Sequence, residues 1–246
     1  NGMKSKFMSM ASHDLSNSLM TLQISFEMLA ATIKPNDDQK KKMDFITASI
    51  TQISRLIGDL VDWASIEQGK FRLEKNYFEM DKMVEEMIVG PKARAMQKNI
   101  DITAQVSPGL KMVCADRRRI GQVLLNLLEN AIRHTQRGGK IIVYVSPLEE
   151  NVCVSVTDNG EGIDPEVLPK LGQSFYQPAG GKSPHGRLGL GLSISKEIVQ
   201  SHDGKIIVES EGVGKGSAFK FVIPFAKEPP PAQASQDAPP QSEGHH

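Results

Sequence analysis

An excess of charge of one sign is missing from this chain: 29 basic and 29 acidic residues cancel to a formal net charge of zero. That balance removes the broad electrostatic case for nucleic acid or an anionic membrane as partner. Cysteine is nearly absent. Cys114 and Cys153 stand far apart in apolar stretches, with no second thiol or histidine at metal-ligand spacing. Buried reduced thiols are therefore expected rather than a disulfide framework or a zinc site. Also lacking are any run of about 18 apolar residues and any signal peptide, so a soluble, cytoplasmic chain with no membrane contact is expected. Its ends carry little information about fold. Residue 1 already lies close to a helical pattern, as though something upstream were cut away. From 227 to 246 the chain is rich in Pro, Ala, Gln and Ser and closes on two histidines, a composition expected to be a disordered tail with a tag remnant.

What is present divides in two. Met8, Ala11, Leu15, Leu19, Leu22, Phe26, Leu29 and Ile33 recur at spacings of three and four, and so do Met43, Ile46, Ile50, Ile53, Ile57, Leu60 and Ala64. Each stripe is the seam of a long helix. The break at 35–38 separates them, with its aspartates suited to cap the second helix. One hairpin cannot cover both seams and also Phe45, Leu56, Val61 and Trp63. A homodimeric four-helix bundle through residues 1–69 is therefore predicted. Residues 70–78 read as linker and first strand, and 79–226 as a second domain.

That second part alternates strands and helices. Strands are expected at 71–77, 100–106, 111–115, 140–146, 152–157, 205–210 and 217–224, and helices at 80–98, 118–135 and 191–201. The pattern predicts an α/β sandwich, a mixed sheet with helices on one face. Between 158 and 191 the chain is rich in glycine and proline without periodicity, as a functional loop or lid is.

Three segments here carry chemistry. Asn126, Asn130 and Arg133 fall roughly on one helix face. Amide oxygens suit a hard cation such as Mg2+, and the arginine suits phosphate. Asp158 ends a strand before Gly160 and Gly162, where a carboxylate can accept from an adenine amine and glycine lets backbone approach the base. Gly186 to Gly191 opens a helix, whose free N–H groups and positive dipole end favour phosphate. Taken singly, these also read as exposed amides, a plain Asp-Asn-Gly turn and an ordinary glycine-rich loop.

Taken in order they resemble the N, G1 and G2 boxes of the histidine kinase ATP-binding domain, within the wider gyrase–chaperone–kinase–mismatch-repair ATPase superfamily. Residues 171–177, with Phe175, resemble the F box, and 214–224 the closing strand. The resemblance implies that ATP and Mg2+ are cofactors and that Asn130 holds the metal. It implies that Asp158 reads adenine and that Gly189, Leu190 and Gly191 belong to the ATP lid. Asn126, Arg133, His134, Gly160, Gly162 and Phe175 join the nucleotide-binding set. Where the family has glycine two positions before Gly189 this chain has Arg187, a candidate phosphate contact.

Related ATPases of that superfamily carry a water-activating glutamate four residues before the metal-binding asparagine. Here that position is Asn126, and Glu129 lies about 100° away round the helix, so an acceptor other than water is expected. His13 stands two positions before seam residue Leu15, about 200° round the helix, and is expected to project to solvent. A neutral imidazole is a competent nucleophile, and Asp14 can accept its other ring proton. Residues 7–19 resemble the H box of the dimerisation and phosphoacceptor domain, with Ser18 for the usual proline and Ser16 for the usual basic residue. Lacking proline, the helix is expected to kink less below His13. By the resemblance, the phosphoryl group passes from His13 to an aspartate of a response regulator receiver domain. Asn17 matches the residue that positions water for dephosphorylating that regulator.

The rival readings are a degenerate kinase that only dimerises and signals through contacts, and an ATP-driven clamp. Asn126 and the upstream hairpin oppose the clamp. The lysines 40–42 read as a solvated face rather than a nucleic-acid patch.

Overall fold

The structure, a computed structural model, describes residues 2–176 and 188–227, excepting the side chains of 2–14. Two helices come first, α1 (Gly2–Thr32) and α2 (Asp37–Glu67), packed as a hairpin. The cap between them is Asn36, not an aspartate. Its side chain accepts from the Gln39 N–H while the Gln39 side chain accepts from the Asn36 N–H, a reciprocal capping box. Asp37 and Asp38 instead occupy the first turn, where negative charge complements the helix dipole.

Ile50, Ile57 and Ala64 are buried along α2, and Leu19 and Phe26 are half-buried on α1. The other half of the seam stays open to solvent: Leu15, Leu22 and Leu29 on α1, with Ile46 and Ile53 on α2, are exposed at seven-residue intervals.

The second part contains a two-stranded ribbon of β1 (Asn76–Phe78) and β3 (Val113–Ala115), antiparallel. Its main sheet has β2 (Asp101–Val106), β4 (Lys140–Leu148), β5 (Asn151–Asp158), β6 (Lys205–Glu209) and β7 (Ser217–Pro224) in the order β2-β4-β5-β7-β6. Only β2 and β4 pair in parallel. The connection between them contains α5 (Arg117–His134), which lies against the sheet with α6 (Gly191–Gln200). The predicted helix over 80–98 is two, α3 (Met80–Met87) and α4 (Val89–Met96). The break falls just before Pro91, whose missing N–H cannot bond back one turn. The predicted strand at 71–77 shrinks to its end, because only 76–78 finds a partner.

One sheet face is apolar and covered. Ile141, Val143, Val145, Val152, Val154, Val156, Phe221 and Ile223 alternate inward and are buried. On α5, Ile120, Val123, Leu124, Leu127, Leu128 and Ala131 repeat at three and four and bury against them. Each of these side chains larger than alanine contributes about 1.5–3 kcal/mol. This leaves the opposite face of α5 for polar work.

A buried polar knot fixes where α5 begins. Asp116 caps it by accepting from the Arg119 N–H at 3.0 Å, and its second oxygen accepts from the Glu74 N–H at 3.0 Å. Burial pushes the Asp116 carboxyl up, but those two bonds and the charges of Arg118 and Arg119 outweigh it and hold it below its usual value. The Asp116 N–H donates to Nε2 of buried His202 at 2.9 Å, so that ring is neutral, with Nδ1 donating to the Ile198 carbonyl at 2.8 Å. Burial lowers the His202 pKa. The unfolded chain therefore takes up a proton first as pH falls below about 6.5, and stability present above that value drops. Melts at pH 7.5 and 5.5 are expected to show this loss, reduced in a His202→Gln variant.

Candidate nucleotide site

The polar positions of α5 organise the site. Near its middle, Asn126 Nδ2 donates to Ser195 Oγ at 3.0 Å, and Ser195 Oγ donates to the Gly191 carbonyl at 2.8 Å. A Cβ built on Gly191 would lie 2.5 Å from Asn126 Oδ1, so the first residue of α6 rests against this amide. No side chain caps α6 at Leu190, which is buried. The first N–H groups of α6 carry no side-chain cap among the described residues, and a helix start of this kind is suited to anions.

At its far end, α5 meets the loop after β5. The His134 carbonyl accepts from the Glu161 N–H at 2.9 Å, and the His134 Nδ1 lies 3.3 Å from Glu161 Oε2. Gly160 passes so close that a Cβ there would stand 2.1 Å from the His134 oxygen. Gly162 adopts φ +68°, and its Cβ would lie 2.0 Å from the Gly212 oxygen. Gly160→Ala is therefore expected to lower unfolding stability by about 1–3 kcal/mol through forced backbone shift, measurable by urea denaturation. Asp158 is buried; Oδ1 accepts from the Gly160 N–H at 2.8 Å and Oδ2 from the Ser217 hydroxyl at 2.6 Å.

On the outer side, Glu129 pairs with Arg55 of α2 and lies 3.8 Å from Arg94. The neighbouring Arg133 has its pKa lowered by burial first and then by the Arg55 charge, with Glu129 opposing. An arginine stays charged regardless. Asn130 lies between Glu129 and Arg133, half-buried. Phe175 has φ +64°, donates its N–H to the Gly189 carbonyl at 3.2 Å, and sets its ring edge-on to Trp63 of α2 at 5.3 Å. It thereby links the turn before α6 to the stem.

So the structure brings Asn126, Gly189, Leu190 and Gly191 together near the middle of α5, and His134, Asp158, Gly160 and Gly162 at its C-terminal end. His13 and Asp14 lie on α1, and their side chains fall outside the described residues, as does all of Arg187. Asn17 is one turn beyond His13, and its carbonyl accepts from Thr21 Oγ1 at 3.0 Å. Sequence reasoning missed Ser195, Ser217, Glu161 and Trp63. Ser195 had a signal, standing four residues after Gly191; Ser217 had none, since only the β5–β7 register places it opposite Asp158.

This chain resembles known proteins along most of its length. Residues 3–69 match the His Kinase A (phospho-acceptor) domain, and 115–227 match the histidine kinase-, DNA gyrase B- and HSP90-like ATPase. The catalytic domain of histidine kinase ThkA is 34% identical with a TM-score of 0.55, covering 61% of this chain and 95% of that one. The chain belongs to the histidine kinase family. A histidine protein kinase from Caulobacter vibrioides, DivJ, is 29% identical over 228 residues, which is 92% of this chain and 38% of DivJ. Full-length ShkA, solved with AMPPNP, is 25% identical with a TM-score of 0.74, covering 90% of this chain and 46% of that one. ThkA has also been solved in complex with response regulator protein TrrA, at 27% identity and a TM-score of 0.59, over 90% of this chain and 61% of that one. This histidine kinase chain spans less than half the length of the curated relatives it matches. Among its described residues, no helix is long and apolar enough to cross a membrane.

Proposed function

We propose that this chain binds ATP with Mg2+, transfers the terminal phosphoryl group to its own His13, and passes it to an aspartate of a response regulator receiver domain. The observation that carries the reading is the meeting of the three motifs along α5, on a chain whose first helix bears His13. Residues 1–69 are read as the dimerising phosphoacceptor stem, 70–78 as linker and first strand, and 79–226 as the ATP-binding domain. The reading is tested by incubation with labelled ATP, scored for base-stable, acid-labile phosphate.

The residues present fit a nucleotide. Buried Asp158 offers an acceptor beside a backbone that glycine keeps close, and the uncapped start of α6 offers donors to phosphate. They fit magnesium through the amide oxygen of Asn130, since a hard cation takes oxygen ligands and is held in part by the bound phosphates. Asn130 would hold the ion, which when bound spreads negative charge on the reacting phosphates. Arg133 and, from the lid, Arg187 would neutralise what remains. His134 and Glu161 brace the loop that follows Asp158. Phe175 ties that module to the stem.

At the acceptor, the His13 ring attacks phosphorus as the bond to the leaving ADP oxygen breaks, and Asp14 holds the other ring nitrogen and takes its proton. ThkA has been solved in complex with response regulator protein TrrA, which supports a response regulator as the partner. A second copy of the chain would cover Leu15, Leu22, Leu29, Ile46 and Ile53, whose seven-residue repeat is a bundle seam. Asn17, one turn below His13, would place the water that hydrolyses the regulator's phosphoaspartate. Asn17→Ala is expected to slow regulator dephosphorylation by about 10-fold or more while leaving His13 labelling intact; a regulator phosphate that decays unchanged would remove this role.

A further inference from the structure

His13 lies nineteen residues before the end of α1 at Thr32, and Arg55 lies eighteen residues after the start of α2 at Asp37. In an antiparallel hairpin with a short turn, those counts put both at nearly one height on the stem, within about one helical turn. At that height the stem meets the nucleotide domain, because Arg55 is paired with Glu129 on α5. Glu129 is flanked by Asn130 and stands four residues before Arg133, on the same helix face.

A second attachment prevents swivelling about the first. Asp62 Oδ2 accepts from Arg119 Nη1 at 2.7 Å and from Gln122 Nε2 at 2.8 Å, with the carboxylate and guanidinium largely buried. Arg55 and Asp62 are seven residues apart, about 10 Å along α2. Glu129 and Gln122 are also seven apart on α5. Two pins at matched spacing hold the helices antiparallel and fix both height and rotation.

We propose that Arg55 is a positioning residue for phosphoryl transfer: seated on Glu129, it registers the end of α5 bearing Asn130 and Arg133 against the stem at the level of the phosphoacceptor. Arg94 supports the seat from the other side of the same carboxylate. Arg55 and Arg94 thus flank one carboxylate, and Arg133 is close enough to feel its charge. The surplus positive charge stands where a transferring phosphoryl group would pass between domain and stem. The inference rests on His13 being the acceptor, but the docking it describes can be read without phosphorylation. Trp63 is the sole tryptophan of the chain and touches Phe175 across the same junction.

The experiment uses the full chain with Arg55→Ala, Arg55→Lys and Glu129→Gln. Measured are the labelling rate at saturating ATP, the dissociation constant of a fluorescent ATP analogue, and acrylamide quenching of Trp63. Arg55→Ala is expected to slow labelling on the order of 10- to 100-fold, as small misplacements of reacting groups do. Nucleotide affinity should hold, Trp63 quenching should rise, and Arg55→Lys should recover part of the rate. In the Glu129→Gln background, Arg55→Ala should add little. An unchanged or faster rate in Arg55→Ala, or a matching loss of nucleotide affinity, overturns the proposal. If the unsubstituted chain takes no phosphate, the assignment of His13 fails; unchanged Trp63 quenching in Arg55→Ala would separately overturn the docking role.

Discussion

Incubated with labelled ATP and magnesium, the chain is expected to gain phosphate that survives alkali and is lost in acid, while His13→Ala gains none. A phosphorus–nitrogen bond has that stability pattern, and a hydroxyl ester does not. The expected effect is total because the proposed function gives the acceptor role to His13 alone. Hydrolysis is also poorly served. Asn126 stands where related ATPases carry a glutamate, and its amide is hydrogen-bonded to Ser195. The nearest carboxylate on α5, Glu129, is paired with Arg55 and sits beside Arg94. Neither residue offers an unengaged base to activate water. The Asn17→Ala variant is the control, since it should still label. Equal labelling of the His13→Ala variant would remove the proposed function.

Asp158→Asn is expected to weaken nucleotide binding by about 10- to 150-fold, the equivalent of about 1.5–3 kcal/mol for a hydrogen bond to a charged group. The fold should survive it. The asparagine oxygen can still accept from the Gly160 N–H, and its NH2 can face Ser217, whose hydroxyl turns from donor to acceptor. What is lost is the carboxylate as acceptor for the adenine amine. Titration with a fluorescent ATP analogue measures the change, and a melt checks the fold. Unaltered affinity in a well-folded variant would mean that adenine is read elsewhere. Asp158→Ala would be a poorer test, because it leaves the Gly160 N–H buried without its partner.

Much was legible in the sequence because it depends on short-range regularities. Three-and-four spacing marks a helix face whatever surrounds it, so both stem helices and α5 were visible as patterns. Turn chemistry was legible only in kind. A polar cluster announced the break at 35–38, yet which side chain capped α2 depended on where the helix began, and Asn36 took the role. Ladder partners decide strand length, which is why 71–77 reads as a strand and only Asn76–Phe78 forms one. Proline placement divides α3 from α4, a break that an apolar pattern over 80–98 passes across.

For this protein, the linear order of residues by itself determined the long helical hairpin, the apolar faces of helix and strand, and the match to the two histidine kinase family domains, since these follow from local periodicity and motif chemistry. Tertiary structure alone decided that Asn126 bonds Ser195, that Asp158 shares its carboxylate with Ser217, and that Arg55 meets Glu129. Those contacts join side chains separated by tens of residues, and their distances are set by how sheet register and helix packing bring distant segments together.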